Sequence, residues 1–438
     1  MAQTPQRLRR ELGVFGAIMM GMGSILGTGV FVSIGIAAGV AGPAVILAIA
    51  IAALVAISNG LSSAQLAANH AVSGGTYEYG YKYLNSWLGF IAGWTFLLAK
   101  TASAATAALG FGGYLLNLLG VGSTRSLIPL GLGAVAALTL VVLSGLRRSN
   151  ITNIVIVSVT ITALALFVFG GLPRVVASGT ANLTPFFDPA SGSPIAGLLE
   201  ATALMFVAYT GYGRIATMGE EVREPRRVIP RAIIAALFLT MALYISVALV
   251  GVGAVGTDTL AGTAQTQAAP LEIAARQFGV PFIAEVVALG AITAMLGVLL
   301  NLILGLSRVL LAMGRRRDMP AVTAGVNERT STPTVAVIVV GLGIAALVLV
   351  GNVKTTWSFS AFTVLLYYAI TNLAALRLSD EERLYPRWIA WAGLAACLFL
   401  AFWVEVQIWL VGLGLLAVGL LWHAAARRIA GPAHAETD

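Results

Sequence analysis

The chain is 438 residues long, and with 58% hydrophobic and only 10% charged residues it cannot be an ordinary soluble protein. A water-exposed surface usually carries about 25% charged residues, so most of this surface must face lipid. The net charge of +8 would suit a nucleic-acid partner, but the positions of the basic residues give it another explanation.

Apolar runs long enough to cross a bilayer follow one another along the whole chain. A spanning helix needs roughly 20 mainly apolar residues. Runs between polar or Pro/Gly breaks therefore predict an all-α membrane protein with about twelve spans. The first run is too long for a signal-peptide core and should remain as a span. The spans lie near 12–41, 43–69, 86–118, 127–146, 150–172, 195–219, 229–256, 281–313, 333–351, 356–378, 388–404 and 407–425.

Basic residues concentrate on one side of this arrangement. With the N-terminus in the cytoplasm, the opposite side holds only Arg125, Arg174, Arg276 and Lys354 of the 26 lysines and arginines. Lys100 and Arg214 fall inside helices, and all the others fall in cytoplasmic segments. The positive-inside rule then predicts a multi-pass protein of the plasma membrane, the inner membrane of the cell, with both termini in the cytoplasm. The basic residues are topology signals, and no nucleic-acid partner is expected.

The first span is rich in glycine, in the string GMGSILGTGVF from Gly21 to Phe31. Each glycine in a helix costs about 1 kcal/mol relative to alanine, and glycines also let the backbone leave helical geometry. Two interpretations follow. The span is either interrupted here, or it carries a small-residue surface for close helix packing.

The sixth span favours the interruption. It reads FVAYTGYGRIATMGEE, with Gly211 and Gly213 among polar and aromatic residues, and five spans separate it from the first. Paired glycine-interrupted segments in corresponding positions of two halves point to a transporter binding site. Unwound main chain in a membrane needs polar partners. An α-amino acid supplies them, since helix-start N–H groups suit its carboxylate and helix-end carbonyls suit its ammonium.

Four segments resemble one known family. GSILGTGVF (23–31), GEEVREPRRVIPRAI (219–233), GLSRVLLAMGRRRDMP (305–320) and, more weakly, SGGTYEYGYKYL (73–84) are similar to segments of the amino acid–polyamine–organocation (APC) family, in the same order and spacing. The resemblance implies the leucine-transporter fold, with alternating access between two inverted five-helix repeats and two further helices. The corresponding parts are 1–190 with the N-terminal tail, 191–380, and 381–438 with the C-terminal tail.

The same resemblance implies a substrate site at the two breaks. In the first helix, Ile25, Gly27, Thr28 and Gly29 would meet the substrate carboxylate. In the sixth, Phe206, Ala208, Tyr209 and Gly211 would offer carbonyls to the amine, with aromatic rings as gates. For Phe206, Tyr209 and Tyr212, ordinary helix packing is the alternative interpretation.

Charged residues inside the spans are candidates for coupling or gating, because intramembrane charges are costly. Lys100 lies mid-span, where burial disfavours its charged form, so it is a candidate proton carrier. Some proton-coupled relatives carry a lysine on the fifth helix; here the nearest match to that position is Ser158. Arg214 follows the sixth-helix break as a substrate-orienting or gating residue, or as a charge reaching water. Glu220 and Glu221 suggest ion pairs at the cytoplasmic end.

These features predict a secondary transporter of amino acids, coupled to protons or working as an exchanger. No acidic side chain is expected at the centre of the site, which favours neutral amino acids. Polyamines or other amines, cationic amino acids, and a non-transporting sensor on the same fold remain alternatives. An enzyme is not expected, nor a cofactor or a metal site, because His70, His423 and His434 are predicted in loops or the tail.

Overall fold

The computed structural model describes residues 13–70, 74–121, 124–145, 150–187, 192–216, 222, 224–327 and 330–430, and the regular structure in them is helical. Within these ranges no β-strand occurs, and the isolated bridge residues are Asn327, which pairs with Thr332, and Val222. Eight helical segments are long and apolar enough to cross a membrane, and four shorter apolar helices accompany them. A multi-pass helical membrane protein is confirmed. The count of twelve spans and the inverted repeat stay predictions.

The helices follow the predicted spans closely, with short additional helices in the connections. In chain order they are α1 Val14–Ile25, α2 Thr28–Phe31, α3 Ser33–Ala41, α4 Val45–Asn69, α5 Thr76–Tyr83, α6 Ser86–Leu118, α7 Leu127–Leu143, α8 Asn150–Ser178, α9 Pro194–Tyr209, α10 Gly213–Ala216, α11 Pro225–Val255, α12 Thr257–Thr266, α13 Pro270–Arg276, α14 Ile283–Arg315, α15 Thr334–Val348, α16 Val353–Leu376, α17 Arg387–Ala401 and α18 Val406–Ala430.

The predicted first span is three helices rather than one. α1 ends at Ile25, and Leu26 and Gly27 are extended before α2 begins at Thr28. A second irregularity at Val32 separates α2 from α3. The glycine-rich string therefore does interrupt the helix.

The sixth span is interrupted more gently. α9 ends at Tyr209, and one turn of 3₁₀ helix covers Thr210–Tyr212 before α10 begins at Gly213. The backbone stays in the right-handed helical region here, so the segment tightens instead of unwinding as in the first span. A 3₁₀ stretch inside a helix often marks a functional hinge.

The three helices α6, α14 and α16 form the centre of the molecule. α6 packs extensively against both of the others, and α4 packs against α11 on the neighbouring side. The largest fully buried side chains are tyrosines and phenylalanines, among them Tyr114, Tyr209, Tyr244 and Phe206. The interrupted helices are therefore packed against large buried aromatic side chains.

The connection between α11 and α14 folds over α3, the second half of the first span. α12 packs against α3, where a Cβ on Gly35 would lie 2.9 Å from the Leu260 carbonyl oxygen. α13 follows at once, and its amide at Leu271 donates to the hydroxyl of Tyr114 on α6. The sequence did not predict α5, α12 or α13, because short polar helices carry no long apolar run.

Candidate functional site

The two interrupted helices touch through their glycines. A Cβ on Gly211 would lie 2.3 Å from the carbonyl oxygen of Ser24, and one on Gly29 would lie 2.7 Å from the Cβ of Ala208. Main-chain atoms cannot give way as a flexible side chain can, so Gly211 admits no larger residue without separating the helices. The two interpretations of the glycines are both correct, because they permit close packing at the place where the helices break.

Polar main-chain groups are left at the first break. Among the described residues, the N–H groups of Gly27, Thr28 and Gly29 donate to no backbone acceptor, while the carbonyl of Gly27 accepts from Val30 and Phe31. These are the donors that a helix start leaves without an intrahelical partner. Such groups favour an anion.

A tyrosine hydroxyl ties the two breaks together on the carbonyl side. The Oη of Tyr244 lies 3.0 Å from the carbonyl oxygen of Ile25 and 3.2 Å from that of Ala208. A tyrosine has a single hydroxyl proton and can serve only one of the two carbonyls at a time. The other carbonyl retains capacity for a second donor.

A cavity lies between the breaks and continues towards one side of the protein. Its inner part has a volume of about 40 Å³, and a wider part of about 150 Å³ shares six of the lining residues: Ser24, Lys100, Thr210, Gly211, Val298 and Leu302. A cavity of ~150 Å³ accommodates a ligand the size of benzene. The wider part extends to Gly74 before α5 and to Arg308 near the end of α14.

Five of the eight predicted substrate residues line the inner cavity: Ile25, Thr28, Gly29, Ala208 and Gly211. Thr28 is the most informative. It is 3% exposed, and its hydroxyl oxygen has no hydrogen-bond partner among the described residues. A buried hydroxyl without a partner is costly, so a ligand that bonds to it would remove this cost.

The other three predicted residues lie beside the cavity rather than on its wall. Gly27 faces Val298, whose methyl group would lie 2.7 Å from an added Cβ. Phe206 packs edge-on against Tyr368, and the hydroxyl of Tyr209 donates to the carbonyl of Ile49 on α4. The packing alternative describes the two aromatic side chains well.

Lys100 joins the third span to the sixth-span break. It lies within α6, is 8% exposed, and its Nζ donates to the hydroxyl of Thr210 at 2.8 Å. That hydroxyl in turn donates to the carbonyl of Val207. Lys100 lines both parts of the cavity, so its charge faces the space that a ligand would occupy.

The charged side chains around the cavity are all basic. Lys100, Arg214 and Arg308 line its wider part, and among the described residues no aspartate or glutamate lines either part. Glu220 and Glu221 lie outside the described residues.

Ser158 and Tyr212, the remaining coupling or gating candidates, do not line the cavity. Ser158 on α8 is exposed and does not line the cavity, so the fifth-helix position of the lysine in relatives has no counterpart at the site. Tyr212 is fully buried and packs on Tyr368, with ring centroids 5.4 Å apart. Its ring belongs to the packing behind the break.

Several lining residues were not predicted, because they come from helices far away in sequence. Trp357 of α16 lines the inner part and donates its Nε1–H to the carbonyl of Leu204. Ser103 of α6 lines the cavity and hydrogen-bonds to Ser360 of α16. Asn301 of α14 lines the wider part. No local motif marks these positions, although their polar character inside apolar spans is a usable signal.

One sequence expectation is wrong. His423 was expected in a loop or tail, but it lies in α18, is 1% exposed, and its Nδ1 is 3.2 Å from the Oδ1 of Asp318. Asp318 also accepts hydrogen bonds from the hydroxyls of Tyr77 and Tyr81 on α5. Among the described residues no group of three metal-ligating side chains occurs. His423 thus belongs to a buried cluster joining α5, α18 and the segment after α14.

Comparison with known proteins agrees with this architecture. The family model for amino acid permeases matches residues 16–436. A Mycobacterium tuberculosis protein named as an uncharacterized transporter is 40% identical over 97% of this chain and 93% of its own length. The branched-chain amino acid permease of Bacillus subtilis is 28% identical over 75% of this chain and 72% of its own. The methylthioribose transporter of the same bacterium is 28% identical over 82% and 80%. The chain belongs to the amino acid permease family.

Proposed function

We propose that this member of the amino acid permease family transports amino acids across the plasma membrane by alternating access, holding the substrate between its two interrupted helices. One observation carries the proposal. Thr28 and Gly29, whose N–H groups donate to no backbone acceptor among the described residues, line the inner cavity together with Ile25 and Ala208, and the Thr28 hydroxyl has no partner among those residues either. Main-chain donors at the start of α2 and the carbonyls of Ile25 and Ala208 around one cavity match an α-carboxylate and an α-ammonium.

The surroundings of the cavity favour neutral amino acids. Its inner wall includes Ile25, Val207, Val298, Leu302 and Trp357, which suit an apolar side chain. The basic residues around the wider part would repel a substrate with net positive charge. Cationic amino acids and polyamines are therefore the weaker alternative for this site.

Lys100 is the proposed coupling residue. It is buried in a membrane-spanning helix, faces the cavity and contacts the sixth-span break through Thr210. Losing or gaining a proton there would change the charge beside the substrate and one hydrogen bond to the hinge. Such a change can link proton movement to substrate movement. An exchanger would move its substrates through the same cavity without net proton transfer.

The proposed orientation places both termini in the cytoplasm. The wider part of the cavity reaches towards the ends of α14 and α5, the side that the basic residues assign to the cytoplasm. The structure would then represent a state facing the cell interior, with α12 and α13 on the outside. The proposed inverted repeats are 1–190 and 191–380, with 381–438 as the additional helices.

Uptake into proteoliposomes tests the proposal. Purified protein is reconstituted and assayed with radiolabelled neutral, acidic and cationic amino acids, first at equal pH and then with an imposed pH gradient. We expect neutral amino acids to be taken up and to raise the apparent melting temperature in detergent, since a ligand that binds the folded state stabilises it. Stabilisation without uptake would identify a sensor instead.

Competition of the uptake by compounds without a carboxylate is the second part of the experiment. If amines or a thio-sugar compete more strongly than amino acids, the assignment of a carboxylate to the first break is wrong. Retained competition after Thr28→Val would lead to the same conclusion.

A further inference from the structure

A carboxyl group is buried on the outer side of the protein, far from the substrate cavity. Glu272 lies on α13, and its side chain is 0% exposed. Its Oε1 accepts a hydrogen bond of 2.7 Å from Arg276 one turn later, while its Oε2 has no partner among the described residues. The Oε2 atom is thus shielded from water and accepts no hydrogen bond from the described residues in its place. This disfavours the ionised form of the carboxyl group.

The charged and titratable groups facing Glu272 are few. Arg276 on the same helix stabilises the carboxylate, Glu285 at the start of α14 opposes it, and the hydroxyl of Tyr114 approaches from α6. In the described residues, α8, α11 and α12, which also pack near α13, add no charge to these surroundings. Burial outweighs Arg276 and raises the pKa of Glu272 from 4.5 to about 7.

The side chain of Tyr114 links α13 to the first interrupted span by hydrogen bonds. The hydroxyl of Tyr114 accepts from the Leu271 amide at 3.3 Å and donates to the carbonyl of Phe31 at 2.7 Å. Phe31 ends α2, the short helix whose first residue, Thr28, lines the substrate cavity. Arg276 adds a second attachment, to the carbonyl of Asn117 at the end of α6.

Because α13 is held over α2 and α3 in this way, opening the outer side requires it to move and to expose Glu272 to water. We propose that Glu272 is a proton-binding site on an outer lid formed by α12 and α13, and that a proton taken from external water onto its carboxylate favours the closed lid. In the open lid the carboxylate is hydrated and releases that proton to the same side.

The site regulates transport and does not couple it. The proton enters from outside when the lid closes and returns outside when the lid opens, so none crosses the membrane. This distinguishes Glu272 from Lys100, which faces the cavity. The inference rests on the proposed function in two respects: the orientation of the protein in the membrane, with α13 outside, and the opening of the outer side during transport.

Amide hydrogen exchange of the α13 peptide, measured from pH 5 to pH 8 in detergent without substrate, tests the lid directly. Glu272→Gln keeps the shape of the side chain but cannot ionise. Comparing variant and wild type at the same pH cancels the chemical exchange rate. We expect exchange rates that agree within about fivefold near pH 5, and at pH 8 more than about tenfold faster exchange in the wild type, because each unit between the two pKa values corresponds to a factor of ten.

Two further variants complete the design. Asp258→Asn removes an exposed acid from the neighbouring helix α12 and should behave as wild type. Arg276→Gln removes the group that stabilises the carboxylate, so the pKa of Glu272 in the closed lid should rise and the pH-dependent increase in exchange should continue to a higher pH than in the wild type. It also removes the bond to Asn117, which adds an increase in exchange that does not depend on pH. A ratio between Glu272→Gln and wild type that stays flat across this range overturns the proposal.

A transport assay separates this inference from the proposed function. Glu272→Gln should lose the external-pH dependence of exchange centred near pH 7 but keep accumulation driven by a pH gradient. Loss of gradient-driven accumulation with normal lid exchange would refute the regulatory assignment. Absence of amino-acid transport with the expected lid behaviour would refute the proposed substrate and leave the proton site standing.

Discussion

Lys100 and Thr210 form a hydrogen bond of 2.8 Å that joins the middle of α6 to the first residue of the 3₁₀ turn in the sixth span. The hydroxyl of Thr210 passes the interaction on to the carbonyl of Val207 at the end of α9. A buried ammonium therefore contacts the hinge and the cavity at once. This geometry is the reason for proposing Lys100 as the coupling residue.

Replacing Lys100 by methionine keeps the length and apolar stem but removes the ammonium. We expect accumulation driven by a pH gradient to be lost, while exchange of labelled for unlabelled substrate is retained within a fewfold. Lys82→Met is the matched control, since Lys82 is exposed, does not line the cavity, and contacts His70 and the ring of Tyr83. Equal loss of accumulation and exchange in Lys100→Met would exclude a proton role.

Gly211→Ala tests the contact between the two interrupted helices. The added Cβ would lie 2.3 Å from the Ser24 carbonyl oxygen and 2.5 Å from the Ile25 amide nitrogen, so the helices must separate. Overpacking of this kind costs about 1–3 kcal/mol, and we expect a lower melting temperature together with loss of uptake. Gly133→Ala on α7 meets no atom within 4 Å and should instead stabilise the protein by up to about 1 kcal/mol. Matching behaviour of the two variants would refute the close-contact role.

Thr28→Val should change stability and affinity in opposite directions. The hydroxyl of Thr28 has no partner among the described residues, so replacing it by a methyl group should leave the unliganded protein equally stable or more stable by about 1 kcal/mol. Affinity for the substrate should fall by roughly tenfold or more, because one ligand hydrogen bond is lost. Thermal unfolding with and without substrate measures both effects.

Thr293→Val, on α14, is the control. It removes a hydroxyl that, among the described residues, bonds only within its own helix, so it should leave affinity unchanged. An equal loss of affinity in this variant would point to a general effect.

Asp318→Asn tests the buried cluster at the end of α14. The hydroxyls of Tyr77 and Tyr81 both donate to one carboxylate oxygen, at 2.7 and 2.6 Å. An amide in this position cannot replace all the bonds that the carboxylate accepts, so we expect destabilisation of about 1–3 kcal/mol. Asp380→Asn is the control: the side chain of Asp380 is 85% exposed, and its loss should change stability by less than about 0.5 kcal/mol. If thermal unfolding of Asp318→Asn matches the wild type, the cluster is not structural.

The sequence predicted the features of the site that depend on local backbone chemistry. The glycines between Gly21 and Gly29 are poor helix formers, so the first break was visible in eleven residues. Lys100 was identifiable because a charge inside an apolar span is costly wherever its partner lies.

Contacts between distant helices could not be predicted in this way. The bridge from Tyr244 to Ile25 and Ala208 depends on how α11 packs, and Tyr244 looks like any aromatic residue in an apolar span. His423 was misplaced for a related reason. A histidine near the end of a span resembles a loop residue until Asp318 is seen beside it.

The pH dependence of stability provides a test of Glu272 that does not involve lid opening. Its pKa in the folded protein is raised to about 7, mainly by burial, from an ordinary value of 4.5. Between these values the folded state binds more protons than the unfolded state, so stability should fall as the pH rises from about 4.5 to 7 and level off above that. The shift of 2.5 units, the difference between the two values, corresponds to at most about 3 kcal/mol. Glu272→Gln should lack this slope, so its melting temperature relative to the wild type should increase across the window. A difference between the two proteins that is constant from pH 4.5 to pH 8 would mean that the carboxyl titrates normally in the folded state.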